Sequence, residues 1–143
     1  MPDDVAAPAA FSWPFDVRFH EVDALGVVFN MWYFAYCDAA QAAFFADLGT
    51  PSSALNAEGL DVLLRHADVQ WVGALEPHSS AEVRVHPVSV GHTSLVLRFE
   101  VVRVPDGQMV FTAQITYVCV RVAEREPVRV PERLRDALER RIA

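Results

Sequence analysis

The chain has 143 residues, of which 52% are hydrophobic and 22% charged. That is enough apolar material for one domain with its own core and too much for general disorder. Its 12 Lys and Arg stand against 19 Asp and Glu, a formal charge of −7, so a nucleic-acid or anionic-membrane surface built on clustered basic residues is not expected. Residues 1–13, rich in Ala, Pro and Asp, read as a flexible N-terminal arm and residues 14–143 as a single domain. Asp3 and Asp4 replace the basic region of a secretory signal, and no apolar run approaches the ~18 residues of a membrane span. Cys37 and Cys119 lie among apolar residues without CxxC or zinc-type spacing, as reduced packing residues of a cytoplasmic protein would.

Phe15 to His20 alternates apolar and polar residues and predicts a half-buried strand. Glu21 to Asn30 reads as a loop. Met31 to Leu48 predicts a helix, apolar almost all the way round and therefore buried, with Asn30 as N-cap and Gly49 and Pro51 at its stop. A short helical turn is expected over Ser52–Ala57. Four strands follow: Leu60–Val72, Ser80–Val90, Thr93–Val104 and Met109–Val122, with turns at Gly91-His92 and Pro105-Asp106-Gly107. A charged helix from Pro131 to Ile142 ends the chain. Strand, buried helix and then a run of strands indicate an α+β fold, a sheet wrapped around one helix. The outer face and edges of such a sheet invite pairing with a second copy, so a homo-oligomer is expected.

The chemistry concentrates in Val17 to Gly49. Asp23 lies in a glycine-containing loop just before a helix N-terminus, whose unpaired N–H groups can stabilise an oxyanion. A carboxylate there can act as general base on water or as nucleophile, which suits hydrolysis of an activated acyl group. The same residue can equally cap a turn.

The segments Val17-Arg18-Phe19 and Asp23-Ala24-Leu25-Gly26-Val27-Val28-Phe29, with Tyr33, Tyr36 and the Leu48-Gly49 stop, resemble the 4-hydroxybenzoyl-CoA thioesterase-like family of hotdog-fold acyl-CoA thioesterases. The Gly91-His92-Thr93-Ser94 turn and the Val130-Pro131-Glu132-Arg133-Leu134 helix start fit as well. The resemblance implies a hotdog fold, an antiparallel sheet around one long helix, with active sites at the interface of a homodimer or homotetramer. It makes Asp23 the catalytic carboxylate. Gly26, Asn30 and Met31 become the oxyanion and substrate-positioning residues, and Val27, Trp32, Tyr33, Thr93 and Ser94 substrate contacts. The substrate would be an acyl-CoA or acyl-carrier-protein thioester. No metal and no cofactor is implied, coenzyme A being part of the substrate. Two positions depart from the pattern. Asn30 stands where many relatives have His, and cannot exchange a proton near neutral pH. Trp32 stands where many have Asn, and adds bulk beside the expected acyl pocket or fills core volume.

Asp38, with Gln41 one helical turn on, reads as a structural hydrogen-bonding group or as a group that orients water. His66, Asp68 and Gln70 alternate on one strand face without a third metal ligand of matching geometry. Arg84, Arg98, Arg103 and Arg121 are candidate phosphate contacts, whereas Arg129, Arg133, Arg135, Arg140 and Arg141 read as a solvated helix face. Phosphate-binding glycine loops and the GxSxG elbow are absent from the sequence. Thioester hydrolysis with Asp23 as base or nucleophile is the leading expectation. A non-catalytic acyl-thioester binder on the same fold is its alternative, and an enoyl-CoA hydratase would need a His/Asp pair that does not follow the loop.

Overall fold

The axis of the molecule is helix α1 (Trp32–Asp47), which buries Tyr33, Tyr36, Cys37, Ala40, Gln41, Phe44 and Phe45. Steps of three and four residues place these on one stripe. The expectation of burial all round is corrected: Ala35, Asp38, Ala42 and Ala46 are exposed. Alanine counts as apolar in a sequence but tolerates water, so an alanine-lined solvent face hides the period. The helix ends where Gly49 takes a left-handed φ of +82°. The Gly49 N–H donates to the Ala46 carbonyl and the Thr50 N–H to the Phe45 carbonyl, a Schellman stop.

The computed structural model describes residues 8–104 and 106–142. Around α1 curls one antiparallel sheet of β1 (Phe11–Asp16), β2 (Leu60–Trp71), β3 (Ser80–Val90), β4 (Ser94–Val104), β5 (Met109–Arg121) and β6 (Glu126–Pro127). The strand order is β1-β3-β4-β5-β2, with β6 on β5. Alternation along β3 to β5 turns Val83, Val85, Leu95, Leu97, Phe99, Phe111, Ala113 and Ile115 into the core. Each large side chain so buried contributes about 1.5–3 kcal/mol. This is the α+β, hotdog-type arrangement expected. Two short helices complete it, α2 (Ser52–Ala57) and α3 (Glu132–Glu139). Among the described residues no helix is long and apolar enough to cross a membrane.

The first strand differs from expectation. It spans Phe11–Asp16, and Phe19–Glu21 is instead a turn of 3-10 helix. Residues 11–13 therefore belong to the domain and not to an arm, while residues 1–7 lie outside the described residues. The period was readable: Phe11, Trp13 and Phe15 alternate with polar residues and Pro14, and Phe11 and Phe15 pack on Phe44 and Tyr36 at ring distances of 5.6 and 4.2 Å. Pro14 is tolerated because β1 is an edge strand.

Strand β2 is the other edge, 12 residues long, with a bulge between Leu64 and His66. Leu64 and Trp71 pair with the inward-facing Tyr117 and Phe111, yet both are about half exposed, as is Leu63. Ala10, Asp47 and Arg141 meet at one corner. The Arg141 guanidinium donates to the Ala10 carbonyl at 3.1 Å and to Asp47, the last residue of α1, at 3.3 Å.

Candidate active site

Val22 and Val28 form an antiparallel bridge, and the loop between them carries Asp23. The Asp23 N–H donates to the Val27 carbonyl at 2.9 Å, and the Gly26 N–H to the Asp23 carbonyl at 3.0 Å. Oδ1 of Asp23 accepts the Leu25 N–H at 2.8 Å, an Asx turn. Oδ2 has no partner among the described residues. Turn-capping and availability for chemistry are thus combined in one half-buried side chain, with one oxygen fixing the other. Gly26 has φ +78°, and a methyl group added there would meet nothing within 4 Å. Its glycine is required by conformation, and the surface above it is open.

Beneath the loop lies a residue that sequence reasoning missed. Glu21 is 4% exposed. Its Oε1 accepts the Arg18 N–H at 2.8 Å and the Tyr36 hydroxyl at 2.9 Å. Burial, then the Glu21 carboxylate, pushes ionisation of Tyr36 well above the usual range for a phenol, so Tyr36 stays a donor. Glu21 and Tyr36 also line a cavity of about 450 Å³ between β1 and α1, with Trp13, Phe15, Trp32 and Ala35.

The start of α1 departs from expectation. Its N-cap is Met31, in helical conformation and without a side-chain cap. Asn30 is therefore not the cap. The Trp32 N–H donates to the Phe29 carbonyl at 3.0 Å, and the Phe34 N–H to the Met31 carbonyl at 3.2 Å. This tight first turn leaves the N–H groups of Asn30 and Met31 without partners among the described residues, and both residues are exposed. The Trp71 indole N–H donates to the Asn30 carbonyl at 3.3 Å. That carbonyl shares its peptide plane with the Met31 N–H, so Trp71 helps aim the donor. Trp71, at the end of β2 and packed on Phe111 at 5.6 Å, was also not singled out by its sequence context.

The other predicted residues divide. Val27 is half-buried and its carbonyl is committed to the loop, and Trp32 is half-buried against the His20 ring at 5.2 Å. Tyr33 is packed into the core. It is 1% exposed, stacks on Phe111, and its hydroxyl accepts the Leu75 N–H at 3.1 Å. Thr93 and Ser94 were expected to reach the site of a second subunit, and nothing within one chain brings them to Asp23. They sit at the far end of β3 and β4, since β3 begins beside Asp16 at Ser80, and eleven residues of strand carry the chain roughly 30 Å away. The turn there is pinned by Arg135, which donates to the Gly91 carbonyl at 2.7 Å, so Arg135 is not part of a merely solvated face.

Asp38 lies on the exposed side of α1, and desolvation by its packed neighbours raises its carboxyl above the ordinary value. Nearby Tyr117 has a buried hydroxyl with no partner among the described residues, and so has the Gln41 amide nitrogen. His66 and Asp68 face each other at 3.4 Å on an exposed surface. The four strand arginines are each engaged with an acid: Arg84 with Glu82, Arg98 with Glu100, Arg103 with Asp106 and Arg121 with Glu124.

The site thus offers an oriented carboxylate in a loop that leads into unpaired amides at the head of a helix. The chain is similar to the acyl-CoA thioester hydrolase YbgC of Escherichia coli O6:H1, at 25% identity over 122 residues, covering 85% of this chain and 90% of that protein. It is similar to the 1,4-dihydroxy-2-naphthoyl-CoA hydrolase of Prochlorococcus marinus, at 27% identity over 118 residues and 77% of each chain. In fold it resembles the solved structure of the BH1999 gentisyl-coenzyme A thioesterase, with a TM-score of 0.82, 22% identity, and coverage of 90% of this chain and 99% of that one. Residues 17–138 match the family model of the thioesterase-like superfamily, and the chain belongs to that superfamily.

Proposed function

We propose that this thioester hydrolase acts on acyl-coenzyme A thioesters, with acyl groups on a carrier protein as the related possibility, and that Asp23 performs the chemistry. The observation that carries this reading is the Asx turn: one oxygen of Asp23 is spent on the Leu25 N–H, and the other is left without a partner among the described residues, in a loop that runs on to the Asn30 and Met31 amides. Acting as general base, Oδ2 takes a proton from water as the water oxygen bonds to the thioester carbon. The negative charge on the former carbonyl oxygen is met by the N–H groups of Asn30 and Met31. Collapse breaks the C–S bond, and the proton held on Asp23 passes to the leaving thiolate. In the nucleophilic variant the carboxylate itself bonds to the carbon, expels the thiolate and is freed by water. A thioester is already activated, so neither route requires a metal or redox cofactor.

The working unit we propose is a homodimer joined through β2, two of which can form a tetramer. Strand β2 is a long free edge with half-exposed Leu63, Leu64 and Trp71, the kind of edge that a second copy covers. Antiparallel pairing about its middle would set the Leu60 end of the second copy beside Trp71. The Thr93–Ser94 turn of that copy lies at the same end, because the Cys119 N–H donates to the Thr93 carbonyl and Cys119 pairs with Val62. A role for Thr93 and Ser94 is then possible only across the interface. Cytoplasmic residence belongs to the same proposal and is consistent with two buried, free thiols.

The experiment is thiol release from short, long, branched and aromatic acyl-CoAs by wild type and Asp23→Asn. The expected result is saturable turnover that falls by about 10²-fold or more in a folded Asp23→Asn protein. Turnover indifferent to that change would reject Asp23. Binding of acyl-CoA without turnover would instead favour a binding subunit, with Asn30 in place of a proton-exchanging His as its motive.

A further inference from the structure

A buried carboxylate is costly unless hydrogen bonds replace its lost water. Glu21 is such a group, and its bonds are unusually placed. Its carboxylate joins the Arg18 backbone to the Tyr36 hydroxyl. Its own carbonyl accepts the Phe29 N–H at 2.9 Å, and its own N–H donates to the Arg18 carbonyl at 3.0 Å. Asp23 follows Glu21 by two residues, and the unpaired amides of Asn30 and Met31 follow Phe29 directly. Glu21 therefore stands at the base of both arms of the reaction centre, the arm that carries the carboxylate and the arm that leads to the oxyanion donors. Through Tyr36 it fastens that base to the second turn of α1. Tyr36 is itself immobilised, buried and packed on Phe15 at 4.2 Å.

We infer that Glu21 is a positioning residue of the thioesterase site, which holds Asp23 and the Asn30–Met31 amides in mutual register by bonding the loop base to Tyr36 of α1. Glu21 touches none of the reacting atoms. What it supplies is the fixed separation between base and oxyanion donors, and small misplacements of such groups are expensive in rate. Both bonds to its side chain go to one oxygen, Oε1. A glutamine at this position can present the same acceptor to the same two donors, whereas an alanine leaves the Arg18 N–H and the Tyr36 hydroxyl without it. A charge role and a positioning role are thus separable.

The inference rests on the reading of Asp23 as the catalytic carboxylate, and the test separates the two. Glu21→Ala, Glu21→Gln and Tyr36→Phe are compared with wild type by kcat, KM and the pH profile on the best acyl-CoA. Amide hydrogen exchange at Leu25 and Gly26 is measured alongside, and reports the loop with no need for turnover. Glu21→Ala is expected to lower kcat at least tenfold with KM changed less than threefold, and to speed exchange at Leu25 and Gly26. Tyr36→Phe should do the same more weakly. Glu21→Gln should restore most of kcat and exchange protection with the pH profile unshifted. The inference is overturned if Glu21→Gln loses as much as Glu21→Ala, or loses one limb of the pH profile, either of which makes Glu21 an acid–base participant. It is also overturned if exchange at Leu25 and Gly26 is unchanged in Tyr36→Phe and Glu21→Gln is no better protected than Glu21→Ala. Should Glu21→Ala fail to fold, the Tyr36→Phe and Glu21→Gln arms decide alone. If wild type turns over no thioester while exchange responds as expected, the Asp23 reading fails and the bracing of the loop stands.

Discussion

Tyr33→Phe separates a packing role from a substrate role for a residue whose sequence context suggested the latter. The ring stacks on Phe111 at 5.0 Å, so phenylalanine keeps the packing and opens no cavity. What disappears is the acceptor for the Leu75 N–H, held at 3.1 Å in a side chain that is 1% exposed, beside Leu75 at 0%. A buried donor left unsatisfied costs about 1–3 kcal/mol. With a urea dependence of about 2 kcal/mol per M for a domain of this size, a 2 kcal/mol loss moves the unfolding midpoint down by about 1 M. The same Leu75 residue accepts the Val28 N–H through its carbonyl, so the weakened segment also anchors the far strand of the Asp23 loop. The assay is urea unfolding followed by Trp fluorescence, paired with KM for the preferred acyl-CoA. The expected outcome is a clear loss of stability with KM nearly unchanged. A midpoint within about 0.2 M of wild type together with a tenfold higher KM would refute this account and restore Tyr33 to the substrate surface.

Further outcomes follow from other parts of the molecule. Leu64→Glu places a charge on the half-exposed edge of β2 and should convert the proposed dimer to a monomer by light scattering, with loss of turnover; a dimer of unchanged affinity would move the interface elsewhere. Gly26→Ala forces a side chain into φ +78° and should cost about 1–2 kcal/mol by thermal unfolding, from backbone strain alone since the site is open; no measurable cost would mean the loop relaxes. Asp38→Asn bears on pH. Desolvation raises the folded-state pKa of Asp38, so the folded protein holds this proton more tightly than the unfolded chain does. Stability from this group is complete below the unfolded value and declines as pH rises through the folded one. The substitution should therefore stabilise at pH 7 and lose that advantage near pH 3; a stabilisation independent of pH would assign the effect to something other than the charge. Native Cys37 should resist thiol reagents at pH 8, because burial, then the neighbouring Asp38 charge, raises its thiol pKa and so suppresses the thiolate, and because it is 0% exposed; stoichiometric labelling without denaturant would contradict this.

The parts of this fold that local chemistry determines were readable in the sequence. Gly49 stops α1 because a left-handed residue is needed there, and the alternating valines and leucines of β3 to β5 declare which side is core. The turn that carries Asp23 and Gly26 was readable as a loop because the bonds of Asp23 within it join residues at most four apart. The partners that fix the loop to the rest of the protein are distant in the chain. Glu21 meets Tyr36 fifteen positions on, and Trp71 reaches Asn30 across 41. No period or motif links such pairs before the sheet has curled. The rotation of α1 was hidden by its alanines, so the sequence did not show which of Trp32 and Tyr33 faces the core. Thr93 and Ser94 lie far from Asp23 within one chain for a topological reason, since adjacency to the site depends on which end of the sheet a turn occupies.

The clasp formed by Arg141 has a consequence for the chain as a string. One guanidinium spans the entry to β1, at Ala10, and the exit of the last residues, while resting on the end of α1 at Asp47. Between Ala10 and Arg141 the polypeptide thus returns on itself, and the path of that stretch is nearly a closed ring. Linking the ends and opening the ring at the exposed turn of Asp106 and Gly107 should leave the same sheet around the same helix, in a protein whose first strand is β5.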